Sequence, residues 1–302
     1  MLALLMPIES AASTQAVQNP VTDRSCLYVV IAQVVVVLAL IAALFISVLA
    51  DMAHDWWIVP ALSQGMLLPP LALYIAWIER RRILAPPAVR DSRGLLLTAF
   101  ACITYILGRL SSEFFLMRFS FVILLAGLAW TFWGLGRLRR LALPLLLLAS
   151  MVPLPVVLYN SIAVPLQLLA SEGAAQIAQS MGVSVFRDGN VIQLAGITLG
   201  VAEACSGLNA LSSLVVGSLL LGYLFCSHWA ARTLLILASV PLAIGVNVLR
   251  VAGTAILADY NQQFALGFYH AFSGWLIFVV GLGFLYLTAR ALHVIFDRKP
   301  SA

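Results

Sequence analysis

A chain of 302 residues that is 63% hydrophobic and only 10% charged, with a mean hydropathy of +1.04, is not a water-soluble domain; its composition is that of a polytopic membrane protein. The net charge of +5 does not point to a nucleic-acid partner, because the basic residues sit in short clusters beside apolar runs, as orientation signals do. Cys26, Cys102, Cys205 and Cys226 have neither CxxC spacing nor histidines at ligand spacing, so neither a disulfide framework nor a metal or cofactor site is expected.

Residues 1–26 open on MLALLMPIESAAS, which lacks a basic start and a long enough apolar core for a secretory signal, and are expected to form a mobile N-terminal tail. Eight runs then approach the length that crosses about 30 Å of hydrocarbon: 27–50, 61–78, 94–108, 119–136, 141–158, 207–226, 233–257 and 274–292. The expected fold is an all-α polytopic membrane protein, with one transmembrane domain over 27–293 and a short tail over 294–302. Under this count Arg80, Arg81, Arg82, Arg90 and Arg93, then Arg137, Arg139 and Arg140, then Arg232, then Arg298 and Lys299 all fall on one side, which the positive-inside rule makes the cytoplasm. Both termini are then cytoplasmic. The opposite loops carry Asp51, Asp55, Glu113, Glu172, Asp188 and Asp259, with Arg109, Arg118 and Arg187 as the basic exceptions. In the first outer loop DMAHDWW reads as an interfacial belt anchored by Trp56 and Trp57, rather than as a catalytic setting for His54.

Residues 159–206 are too polar to span and too apolar to be a free loop. YNSIAVPLQLLASEGAAQIAQSMG is weakly amphipathic, with Ile162, Leu166, Leu169 and Ile177 at near-helical spacing, and is expected to lie along the outer interface. VSVFRDGNVIQL alternates around Asp188-Gly189, which predicts a small hairpin. That hairpin leads into TLGVAEACSG.

Here the chain changes from strand-like TLGVAEA to apolar LNALSSLVVGSLLLG, predicting a helix that begins near Ser206, a good N-cap residue. Cys205, flanked by Glu203, Ser206 and Gly207, then sits at the positive end of that helix, where a thiolate is favoured. Taken alone this leaves two readings open, a packing cysteine and an activated nucleophile. Cys26, Cys102 and Cys226 lack such a setting and read as packing. In SVPLAIGVNVLRVAGTAIL, Arg250 interrupts an apolar helix three residues after Asn247, in the outer half of the span. A snorkelling arginine and a functional one both fit that position. His270, in FALGFYHAFSGW, stands just before the last span, again on the outer side. His228 and His293 fall near the cytoplasmic face.

Three features of different kinds thus share one depth, and chemistry supplies roles for them. Cys205 is the nucleophile, His270 the general acid/base, and Arg250 the stabiliser of the thiolate or oxyanion, with Asn247 orienting Arg250. Glu203 either orients His270 or Arg250 or is a solvated turn residue, the latter being preferred.

At these residues the sequence resembles the exosortase/archaeosortase family of membrane cysteine transpeptidases, through AEACSGLNAL, the N-x-x-R of NVLR and His270 before the last helix. MVPLPVVLYN with VPLQLLAS, and WWIVPALSQGMLLPPLALYIAW, are also similar to segments of that family. One departure is Gln64 in SQG of the first outer loop, where many relatives have histidine. The resemblance implies a bacterial cytoplasmic-membrane enzyme whose site faces the periplasm. Its partners would be exported proteins that end in a sorting signal, namely a short motif such as Pro-Glu-Pro, a membrane helix and a basic tail. It would hold them as a thioester on Cys205 and pass them to an acceptor nucleophile or to water. Two other classes compete: a transporter or channel in which Arg250 binds an anionic substrate, and a non-catalytic subunit of exopolysaccharide export.

Overall fold

Most of the apolar runs are helical, and where prolines cluster near residues 151–155 the helix breaks. The computed structural model describes residues 20–201, 207–261 and 267–296. Helix α1, Pro20–Ile58, starts on a proline, whose fixed φ suits a first helical position. Residues 20–26 are therefore helical, while the remainder of the expected tails, 1–19 and 297–302, lies outside the described residues. The chain up to Leu49 forms one unit and the chain from Ala50 a second.

Two of the expected spans are not single helices. The run over 61–78 is a 3-10 helix, Pro60–Met66, followed by α2, Leu68–Ile78, with prolines 69 and 70 in the first turn of α2 where missing amide protons cost nothing. After α3, Arg80–Leu84, helices α4, Arg93–Leu110, and α5, Phe114–Arg140, form an antiparallel hairpin packed along its length. The expected span over 141–158 is not one continuous helix: α6, Ala142–Ser150, stops after nine residues, and α7, Val156–Ser180, begins beyond a break at Met151–Pro155. Pro153 and Pro155 explain this, because each removes a helical donor and disfavours helical backbone in the residue before it.

Helix α7 does not present the amphipathic face expected of it. Its buried side is mostly small residues, Ala163, Ala170, Ser171, Ala174, Ala175 and Ala178, with Gln167 among them, while Ile162, Leu166 and Ile177 are half-buried and Leu169 is exposed. Small residues allow close helix approach, and the partner is helix α9, Trp229–Tyr260. The expected hairpin is present as β1, Phe186–Asp188, and β2, Val191–Gln193, extended by β3, Thr198–Gly200, into an antiparallel sheet. Its register pairs Asp188 with Val191, so the two-residue turn is Gly189-Asn190, one residue later than the expected Asp188-Gly189. Glycine in the first turn position is what a tight hairpin of this kind accepts. Arg187, a basic exception in the outer loops, is tied down there: its Nη1 donates to the Gly189 carbonyl at 3.1 Å and to Ser171 Oγ at 3.3 Å.

The sheet closes over α7 and α9 with Ile192, Leu194 and Val201 in one buried cluster with Ala170, Ala174, Val251, Ala252 and Ala255. The last three helices, α8, Leu208–Phe225, α9, and α10, Gly267–Phe296, all pack on one another. They share a second core of Leu214, Leu235, Ala243, Leu285 and Ala289. Ser218 and Ser239, fully buried in these helices, donate to carbonyls three residues earlier and so leave no orphaned hydroxyl.

Among the described residues six helical segments are long and apolar enough to cross a membrane: Val35–Ile58, Arg93–Leu110, Phe114–Arg140, Leu208–Phe225, Trp229–Tyr260 and Phe272–Phe296. With Leu62–Ile78 as a shorter apolar segment, the chain is an all-α polytopic membrane protein carrying a small three-stranded sheet.

Candidate active site

Asn247 and Arg250 stand three residues apart on α9, close enough to share one side of the helix. Asn247 is 3% exposed and faces the start of α8. A β-carbon on Gly207 would lie 2.8 Å from Asn247 Nδ2 and 2.9 Å from its Cγ. Gly207 is the N-cap of α8 and is left-handed, with φ 83° and ψ −7°, and as a glycine it offers no side chain to cap the helix. Glycine alone satisfies both demands at once, the left-handed backbone and the absent side chain. The expected Ser206 cap is thus replaced by Gly207 one residue later. Cys205, Ser206 and Glu203 lie outside the described residues.

The described residues on either side of that segment are anchored on the same helix. Val201, 2% exposed, belongs to the cluster that contains Val251 and Ala252 of α9, and its amide donates to the Asn190 carbonyl at 2.8 Å. Gly207, on the other side, meets Asn247.

Arg250 turns to the third helix. It is half-buried with its Nε wholly enclosed, and its guanidinium covers Gly274 of α10, where a β-carbon would stand 2.8 Å from Nη2 and 2.9 Å from Cζ. His270 was expected just before the last helix, but its backbone belongs to the first turns of α10, four residues before Gly274. Nothing in GFYHAFSGW interrupts helical hydrogen bonding, so the helix runs through the histidine.

Alongside the first turns of α8 lies an apolar cavity of about 310 Å³, walled by Leu208, Asn209, Ser212, Phe115, Phe119 and Tyr159 among others. Gln64 of the 3-10 helix reaches across to α8 at its edge: Nε2 donates to Ser212 Oγ at 2.8 Å, and Ser213 Oγ donates to Oε1 at 2.6 Å.

With this geometry in place, the comparison with known families is decisive: the family described as Transmembrane exosortase (Exosortase_EpsH) matches residues 56–287, well over half of the 302-residue chain. The chain belongs to the transmembrane exosortase family. No curated protein and no solved structure matches it significantly.

In this exosortase some side groups take positions other than those expected. Trp56 is no belt anchor: it is 8% exposed, donates from Nε1 to the Met151 carbonyl at 3.3 Å and covers Gly65, whereas Trp57 is 79% exposed. Cys226 packs as expected, 2% exposed, but Cys102 is exposed on the outside of α4 and fills no core. Arg118, an outer-side basic exception, is 7% exposed on α5 and paired with Asp55. His54 is exposed, and His228 accepts a hydrogen bond from the Ala230 amide at the start of α9. Among the described residues no group of histidines, cysteines and carboxylates is arranged to hold a metal ion.

The contact points Gly207 and Gly274 carry as much of the site's geometry as the polar residues. Gly274 had a readable signal: a glycine within an apolar helix costs about 1 kcal/mol relative to alanine, so its presence marks a close approach. The Gln64 bridge had none, because residues 64 and 212 are joined only by folding.

Proposed function

We propose that this exosortase is a membrane-embedded cysteine transpeptidase or protease that cleaves C-terminal sorting signals of exported proteins through a thioester on Cys205. One observation carries the reading: on one helix, Asn247 packs against Gly207 and Arg250 packs against Gly274. Cys205 is two residues from Gly207, so their Cα atoms are separated by at most about 7 Å. His270 precedes Gly274 by one helical turn, a rise of about 6 Å. In this reading the sulfur, the guanidinium and the imidazole meet at the 247–250 turn of α9, a reading supported by the contacts of that turn with Gly207 and Gly274. A transporter needs no such meeting of a cysteine-bearing segment with a histidine-bearing one.

In this reading the positive end of α8 favours the Cys205 thiolate. Its sulfur attacks the scissile carbonyl carbon, a C–S bond forms and the carbonyl electrons move onto oxygen, where the fixed charge of Arg250 stabilises them. Collapse breaks the C–N bond, and His270 gives its proton to the departing amine. His270 next accepts a proton from the incoming amine or water, which attacks the thioester and releases the thiolate. Asn247 keeps α9 seated on the start of α8 so that these groups stay in register. The cavity beside α8 would take apolar residues flanking the scissile bond, and a substrate held by its own membrane helix would enter sideways. In this reading the basic clusters mark the cytoplasmic side, which puts both termini in the cytoplasm and this end of the helices at the periplasmic face of a bacterial inner membrane.

The test is co-expression of the full chain with an exported protein ending in a Pro-Glu-Pro-type motif, an apolar helix and an arginine cluster, followed by mass spectrometry of the enzyme. A covalent adduct on Cys205 and loss of processing in Cys205→Ala, with normal membrane insertion, are expected. Unchanged processing in Cys205→Ala would remove the mechanism. Uptake of an anionic solute that needs Arg250 but not Cys205 would replace it with transport, and secretion of polysaccharide supported by Cys205→Ala would favour a non-catalytic subunit.

A further inference from the structure

At the opposite end of the same helices, four arginines converge where the candidate active site has one. Arg82 of α3, Arg139 and Arg140 at the end of α5, and Arg232 at the start of α9 line a cavity of about 130 Å³ together with Glu79 and Tyr223. Arg232 is eighteen residues before Arg250 on α9, about 27 Å along the helix axis, so this cavity opens at the other membrane face.

Arginines at helix ends are ordinary orientation signals, but these are gathered with a large excess of charge. The lining holds four guanidinium groups and one carboxylate. That carboxylate is already engaged, by Arg82 at 3.5 Å and by the Tyr223 hydroxyl. Arg232 spends its Nε on the Cys226 carbonyl at 2.8 Å, which fixes the side chain without neutralising it. Among the described residues neither Arg139 nor Arg140 has a carboxylate partner.

The backbone of α5 is bent so as to bring these two arginines there. Gly134 breaks the helical dihedrals with φ 79° and ψ 168°. Beyond it Arg137 anchors the turn, donating from Nε to the Pro86 carbonyl at 2.8 Å and from Nη2 to the Leu84 carbonyl at 3.2 Å. The remaining walls are apolar: Ile75, Ile83, Ala142, Leu143 and Pro144.

From this we infer that the cavity is a binding site for a phosphate group, and that its source is the headgroup of an anionic phospholipid. Guanidinium groups match phosphate oxygens in charge and geometry. A basic pocket between membrane helices at headgroup depth, with apolar walls leading toward the hydrocarbon, suits a lipid phosphodiester better than a soluble ion. The inference needs only the membrane assignment and is independent of the cysteine chemistry.

Thermal unfolding and native mass spectrometry of the full chain in neutral detergent test it, with phosphatidylglycerol, phosphatidylcholine and inorganic phosphate as probes. Phosphatidylglycerol should bind saturably, raise the unfolding temperature and survive as an adduct, while phosphatidylcholine should not. Arg139→Gln with Arg140→Gln should weaken phosphatidylglycerol binding about thirtyfold, at roughly fivefold per charge. Arg81→Gln, at an exposed arginine outside the cavity, should change little and controls for the loss of a surface charge. Equal stabilisation by inorganic phosphate would overturn the lipid assignment. Phosphatidylglycerol binding that is unaffected in the double variant, or lost equally in Arg81→Gln, would overturn the site.

Discussion

The guanidinium of Arg250 lies so close over Gly274 that a β-carbon on the glycine would stand 2.8 Å from Nη2. Gly274→Ala must therefore push the arginine aside while leaving α10 with a better helix former. If Arg250 stabilises developing negative charge, kcat for cleavage of a tail-anchored substrate should fall about 10²-fold or more, with thermal stability held or slightly raised. A variant with full kcat would show that the placement of the arginine does not matter to turnover.

Gly207 serves two purposes that can be separated. Gly207→Ala should lose about 1–2 kcal/mol from its left-handed backbone alone, and more from collision with Asn247, whose Cγ would be 2.9 Å away. Asn247→Ala in the same chain should relieve the two closest contacts, at Nδ2 and Cγ, but not the backbone strain. Unfolding of the single and double variants measures both parts; strictly additive losses would mean that the two residues do not press on each other.

Gln64 joins the 3-10 helix Pro60–Met66 to α8 through Ser212 and Ser213 and borders the apolar cavity. Gln64→Ala removes both hydrogen bonds at a distance from the proposed reacting groups. KM for a sorting-signal substrate should rise several-fold with kcat nearly unchanged, because binding and not charge stabilisation is altered. A fall in kcat at constant KM would instead give Gln64 a part in the chemistry.

Arg118 and Asp55 form an ion pair in which the arginine side chain is 9% exposed and the aspartate 36%. The half-exposed aspartate can be hydrated when alone; the buried arginine cannot. Asp55→Asn should cost about 1–3 kcal/mol by stranding the guanidinium, and Asp55→Asn with Arg118→Met should recover part of it. Chemical unfolding of the three proteins in one detergent decides this, and a double variant weaker than the single would contradict it.

Asp91, in the loop before α4, has its carboxyl held below the ordinary value near 3.8 by the backbone amide of Arg93 first, then by the Trp130 indole and the Arg93 charge, against a small opposing effect of desolvation. The two hydrogen bonds measure 3.0 and 2.9 Å. A depressed folded-state value means that the carboxylate's contribution is complete above the ordinary range and is lost as pH falls through the depressed value. The unfolding temperature should fall more steeply between about pH 5 and pH 2 in the parent than in Asp91→Asn. Parallel pH profiles would show that Asp91 contributes nothing to the acid limb.

What could be read from the residues in order was whatever depends on local pattern. Apolar runs marked the helices, arginine clusters marked their ends, and the alternation around Asp188-Gly189 marked a hairpin that is present one residue out of register. The polar interruptions Asn247 and Arg250 stood out because an apolar helix makes any polar group costly. Boundaries were less legible: the 141–158 run is apolar throughout, and only the spacing of Pro153 and Pro155 tells that it breaks.

The sequence by itself determined the membrane class, the family and the residue types from which a cysteine–arginine–histidine site would be built, because composition, charge placement and short motifs are properties of neighbours along the chain. Only the tertiary structure decided that α7 buries alanines rather than its larger apolar residues, that Trp56 packs inward, and that Asn247 and Arg250 rest on two glycines of different helices. Each of these is a contact between segments far apart in sequence, set by how closely two backbones can approach. A linear pattern records hydrophobicity, but it does not record which surface a helix will find opposite it.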